Sequence, residues 1–126
     1  MKINVMKKWV TALNSGDYKQ GAGRLRSDNK YCCLGVLCEL AVKEGIIKEF
    51  EGGNGILPHA VMEWAGMKSR SGTILSCNEN LDGLNDGNVH RNTQIKTKEG
   101  TINVREGRRM SFKNIAKVIK EYYKEL

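Results

Sequence analysis

Apolar positions along the chain fall into a few short periodic stretches separated by polar, glycine-bearing ones. Near the start, Met6, Trp9, Val10 and Leu13 recur at i, i+3, i+4 and i+7. That spacing predicts an amphipathic helix with Trp9 as a core anchor. Asn4 is placed to cap its start, and Asn14-Ser15-Gly16 to end it. Gln20 to Arg26 reads as an extended segment. Ser27-Asp28-Asn29 reads as a turn, and Lys30-Tyr31-Cys32 as the returning strand of a hairpin.

The longest apolar run, Tyr31 to Val42, predicts a central helix over Cys33 to Glu44 that is buried on several sides, with Gly45 as its stop. Gly35 in its first turns costs about 1 kcal/mol against alanine, so another backbone is expected to pack closely there. Leu57 to Gly66 predicts a short helix with Pro58 at its first position and Val61, Trp64 and Ala65 facing inward. Thr73 to Cys77 reads as a strand, and Asn78 to Asn88, rich in Asn, Asp and Gly, as turns. Gln94 to Arg105 predicts a β-hairpin turning at Glu99-Gly100. Ser111 caps a last helix with Phe112, Ile115, Ala116, Ile119 and Tyr122 inward and Lys113, Lys117, Lys120 and Lys124 on one basic face. The expected architecture is α+β in a single domain over residues 1–126: about four helices packed on a small antiparallel sheet, with a basic hairpin near 94–105.

Charge changes the picture more than composition does. The formal net charge is +7, and residues 91–126 carry ten Lys/Arg against four Glu. An excess gathered in the last third favours an anionic, phosphate-bearing partner. The first residues hold no apolar stretch resembling a secretion signal, and no run approaches a membrane span, so cytoplasmic location is expected and a membrane partner is not. Cys32, Cys33 and Cys38 lie inside the apolar run and Cys77 stands alone. Their spacing is not that of zinc ligands, and they read as small hydrophobes. The Asn/Asp/Gly stretch lacks the register of a calcium loop. No metal and no cofactor is expected. His59 and His90 show no partner; Asp86 with His90 is the one i,i+4 acid–base pair, and it falls in a predicted loop.

Trp9-Val10-x-Ala12-Leu13-x-Ser15-Gly16-x-Tyr18-x-Gln20-Gly21-x-Gly23-x-Leu25-Arg26, then Tyr31-Cys32-Cys33-Leu34-Gly35-Val36-Leu37-Cys38, resembles a family of small phage and prophage proteins. Leu57-Pro58, Trp64-Ala65-Gly66, Leu84-Asn85-Asp86 and Ser111-Phe112-x-x-Ile115-Ala116 extend the resemblance over most of the chain. It implies a phage origin, action in the cytoplasm of the infected host and an accessory role of the anti-defence kind, and it implies no mechanism. In that pattern the Leu-Asn-Asp segment leads closely into the last helix. Here residues 88–110 intervene and look like an elaboration.

Three functions follow as expectations. The first is a non-enzymatic binder that sequesters a phosphate-bearing, nucleotide-like small molecule. Arg24, Arg26, Arg108 and Arg109 would clamp phosphate, and Tyr18, Gln20, Asn85 and Asp86 would read base or ribose edges, in a pocket shared between subunits of a homo-oligomer. The second is a nucleic-acid binder using the basic last third, although no named docking motif is present. An inhibitor of a host defence protein stands beside these. The third, an enzyme, has the least support in the residues.

Overall fold

A computed structural model describes residues 1–126. Helix α1 (Ile3–Asn14) buries Val5, Met6, Trp9 and Leu13; Val5 joins the predicted stripe, and Val10 is only half-buried. The residue before it, Lys2, is extended and gives no side-chain cap; Asn4 lies inside the first turn instead of capping it. Gly16, at φ +79°, reverses the chain.

Three two-residue strands follow: β1 (Lys19–Gln20), β2 (Arg26–Ser27) and β3 (Lys30–Tyr31), in the order β1-β3-β2. The hairpin is the expected one, β2 antiparallel to β3 with Asp28 left-handed in its turn. The extended segment from Gln20 to Arg26 is interrupted. Gly23 turns the chain at φ +81°, and Leu25 is carried into the core. This leaves β1 free to pair with β3 in parallel.

Helix α2 (Cys33–Lys43) is the centre of the fold, with seven of its eleven residues buried, and it is therefore apolar nearly all round. A methyl group on Gly35 would collide with the carbonyl oxygen of Leu25, which accounts for a glycine within the helix. The Trp9 indole donates to the carbonyl of Cys33 at 2.9 Å and ties α1 to the start of α2.

Helix α3 (His59–Ala65) follows Pro58, which sits just before the helix, and ends at left-handed Gly66. Val61 and Ala65 are buried; Trp64 is half-buried at the edge. Strands β4 (Thr73–Ile74) and β5 (Glu79–Asn80) form a small antiparallel pair. The strand expected through Cys77 stops at Ile74, and Leu75 is 82% exposed in the turn. The stretch expected to be turns contains a fifth helix, α4 (Leu81–Asp86), which buries Leu81, Leu84 and Asn85.

Strands β6 (Thr93–Thr97) and β7 (Gly100–Val104) form the predicted hairpin, with Ile95 opposite Ile102 and both turned to the core. Helix α5 (Phe112–Tyr122) closes the chain. The Ser111 hydroxyl accepts from the amide of Asn114, as its sequence position predicts. Its buried face is Phe112, Ile115, Ala116, Val118 and Ile119. Tyr122 stays at the edge, where its hydroxyl donates to the Lys96 carbonyl at 2.7 Å and fastens the hairpin to the helix. The buried apolar side chains make one connected cluster, so the helices and the small sheets of this α+β fold share a single core.

Candidate functional site

Two polar residues from distant parts of the chain meet, buried Asn85 and half-buried Gln20. Asn85, on α4, is fully buried. Its Oδ1 accepts from the Cys33 amide at 3.1 Å and from Gln20 Nε2 at 3.0 Å. Its Nδ2 donates to the Gly21 carbonyl at 2.8 Å and to Asp86 Oδ1 at 2.9 Å. Gln20 donates a second time, to the Met110 carbonyl at 2.7 Å, and its Oε1 accepts from the Phe112 amide at 3.1 Å. These partners fix which way each amide points, because backbone N–H groups must meet oxygen and carbonyls must meet nitrogen.

The first amides of a helix have no partner within it. Here Asn85 supplies the acceptor for the first residue of α2, and Gln20 does so for the first residue of α5. The pair therefore joins β1, α2, α4 and α5 at one point. Of the residues expected to read a ligand, Gln20, Asn85 and Asp86 are joined by this network. The Asn85 amide is saturated by internal bonds, both N–H groups of Gln20 are used, and Asp86 accepts one bond from Asn85.

Within one chain, the four arginines do not share the lining of one described cavity. The Arg26 guanidinium donates to the Phe50 carbonyl at 3.2 Å and lies 4.7 Å over the Phe50 ring, so it is committed to structure. Arg24, Arg108 and Arg109 are exposed. Arg109 lines a cavity of about 470 Å3 with Lys19, Gln20 and Lys30; Arg24, Arg26 and Arg108 are not part of its lining. Asp86 ends α4, and left-handed Gly87 separates it from exposed His90, so the two do not share a helix face as an acid–base pair.

What the structure does assemble is a groove of about 600 Å3 between α1 and α5. Val10 and Leu13 from α1 meet Phe112 and Ala116 from α5 on its apolar floor. Lys113, Lys117 and Lys120 form one wall, three successive members of the predicted basic face; Lys124 is exposed and outside the lining. Tyr18, Asn14 and Ser111 add polar atoms at one end. Glu99, from the hairpin turn, is the one carboxylate in the lining, 3.6 Å from Lys120. Lys113 and Lys117 have no carboxylate partner. Of the residues expected at the site, Tyr18 and Gln20 line this groove.

Tyr18 is held in place. Its ring meets Tyr31 edge-on at 5.3 Å between centroids, and its hydroxyl accepts from Lys43 Nζ at 2.9 Å. The cysteines stand apart from this chemistry. Burial pushes the thiol of Cys32 up to about 11 and that of Cys38 to about 12, and Cys33, wholly buried, is also raised. All four cysteines are free thiols.

A family model described as a domain of unknown function, DUF8296, matches residues 1–123. The chain belongs to the DUF8296 family. No curated protein and no solved structure matches it. The DUF8296 span includes every helix and strand described above, among them the hairpin within 88–110. Both the amide pair and the α1–α5 groove thus lie inside the family's own domain.

The groove's apolar floor escaped the sequence reading because it is formed by two helices that are about a hundred residues apart. The lysine periodicity was its one visible sign.

Proposed function

We propose that this chain is a non-catalytic binder of a phosphate-bearing, nucleotide-like small molecule, held in the α1–α5 groove. The observation that carries the reading is the pairing of Lys113 and Lys117, cations without carboxylate partners, with an apolar floor of Val10, Leu13, Phe112 and Ala116. The ammonium groups would meet phosphate, and the floor and Tyr18 would cover a base. A volume of about 600 Å3 suits a ligand of that size. The groove is complete within one chain, so this reading does not need the two-subunit pocket anticipated from sequence. The resemblance to small phage proteins supplies a setting, sequestration of a host nucleotide signal, and rests on those motifs alone.

The test is calorimetric titration with nucleoside mono- and diphosphates, followed by recovery of the compound. Binding with the compound intact is expected. Lys113→Gln with Lys117→Gln should weaken it about tenfold for each charge-assisted hydrogen bond to phosphate that is removed. Absence of binding by any of these compounds, or recovery of a cleaved product, overturns the reading.

A further inference from the structure

The α1–α5 groove does not end at its own rim. Toward the hairpin it runs into a second depression of about 280 Å3, and the two share Glu99, Lys117 and Lys120. The hairpin adds Lys98, and the end of α5 adds Tyr123. At its opposite end the groove meets a third depression, of about 450 Å3, between α1 and α2. Tyr18 lines both. Lys7, Lys8 and Lys43 line this last section.

The joined depressions carry seven lysines against three carboxylates, Glu99, Glu121 and Asp17. Lys8 is paired with Glu44 and Lys120 with Glu99, and the remaining positive charge is spread along a path instead of gathered at a point. Leu13 and Phe112 mark one end of the α1–α5 groove, and Met6 and Tyr123 line the depression beyond its other end. The two helices therefore run antiparallel, and the path follows their length before passing Tyr18 to the other side of α1.

We propose that this path binds a single-stranded oligonucleotide, with its phosphates along the lysines and a base stacked on Tyr18. The proposal rests on the nucleotide reading of the α1–α5 groove and extends it to a linked chain. A cationic track interrupted by aromatic rings is how sequence-tolerant single-strand binding is built. Tyr18 is braced by Tyr31 and Lys43, so its ring is already oriented before a base arrives. The path also bends around the end of α1. A single strand can follow that bend, whereas duplex DNA is stiff over lengths far greater than this molecule. An acidic peptide would match the charge but leave the ring without a stacking partner.

The experiment is fluorescence anisotropy of the full chain with labelled oligothymidylates from one to about eight nucleotides, at several salt concentrations, with polyglutamate as a second polyanion. Affinity should rise at least tenfold from the shortest to the longest, and the salt dependence should steepen by about 0.7 in log–log slope for each added phosphate engaged. Lys7→Gln with Lys8→Gln should remove that gain while the mononucleotide affinity holds. Tyr18→Ala should weaken the longest oligonucleotide about fivefold or more, and Tyr18→Phe should retain it. Equal affinity at every length overturns the track and leaves the single-nucleotide groove standing. Polyglutamate binding as tightly as oligothymidylate overturns the nucleic-acid assignment in favour of an acidic protein surface. Failure of every length, the mononucleotide included, overturns both readings.

Discussion

Replacing Asn85 by alanine tests the physical account of this fold most directly. The side chain is fully buried and makes four hydrogen bonds. In Asn85→Ala the Cys33 amide loses its acceptor at the start of α2, and the Gly21 carbonyl loses its donor. Gln20 keeps its bonds to Met110 and Phe112, and Asp86 can turn to solvent. Two stranded groups at about 1–3 kcal/mol each give an expected loss of about 2–6 kcal/mol. A domain of this kind is stable by about 5–15 kcal/mol in all, so the effect is large. Urea unfolding followed by tryptophan fluorescence measures it, since buried Trp9 bonds to the carbonyl of the same Cys33. The midpoint should fall with an unchanged denaturant slope. The near-isosteric Asn85→Asp separates hydrogen bonding from volume. At neutral pH its carboxylate cannot donate to Gly21 and lies beside Asp86. Protonation restores a donor, so the folded state holds a proton that the unfolded carboxyl releases at the same pH. The loss should be greatest at neutral pH and shrink as pH falls toward the ordinary carboxyl range. An Asn85→Ala cost below about 1 kcal/mol would refute the reasoning, because it would mean that no buried partner had been stranded.

Gly35→Ala should destabilise the protein by about 3 kcal/mol or more, judged by urea midpoint, because the added methyl would meet the Leu25 carbonyl; intrinsic helix propensity alone predicts a gain of about 1 kcal/mol, so the sign decides. Of the four thiols, half-buried Cys77 should be the one that reacts with an aromatic disulfide reagent in the native state. Cys32, Cys33 and Cys38 should follow only on unfolding, since burial both covers them and raises their thiols. Burial raises the Asp82 carboxyl above its ordinary value of 3.8, so its ionised form costs stability once pH rises above that value. Asp82→Asn keeps an oxygen to accept from the Gly83 amide and should raise the urea midpoint slightly at neutral pH, by at most about 0.5 kcal/mol given its partial exposure, with the gain gone below pH 3.8.

The elements legible in the sequence are those whose burial repeats with a fixed period. Met6, Trp9 and Leu13 announced α1, Ile95 and Ile102 the hairpin, and Ile115, Ala116 and Ile119 the last helix. Helix α4 was hidden because six residues are too few for a period to show, and Asp82, Gly83, Asn85 and Asp86 are turn formers by composition. Leu81 and Leu84, three apart, with Gly87 behind them, were its faint signal. Strand β1 was hidden for a different reason: its parallel partner is set by the turn at Gly23 and by burial of Leu25, neither of which leaves a period. The capping roles of Gln20 and Asn85 were not legible, because an amide that reads a base and an amide that caps a distant helix look the same in sequence. Their partners lie up to 92 residues away.

The amide pair and the groove nevertheless form one unit. Gln20 belongs to both: its carboxamide fixes Met110 and Phe112 at the start of α5, while its side chain also lines the groove. Phe112 is part of the groove floor and Ser111 part of its rim, so the position of the lysine wall depends on a bond made from β1. The hairpin enters the same arrangement from the other end. The Tyr122 hydroxyl holds its Lys96 carbonyl, and this places Glu99 in the lining beside Lys120. The residues 88–110, which look like an elaboration in sequence, therefore border the end of the groove where it continues into the depression lined by Lys98 and Tyr123. Asn85 lies beneath the groove, and Gln20 borders it. Through the Gln20 bonds to Met110 and Phe112 they fix the start of α5, the helix that carries both the lysine wall and half of the apolar floor.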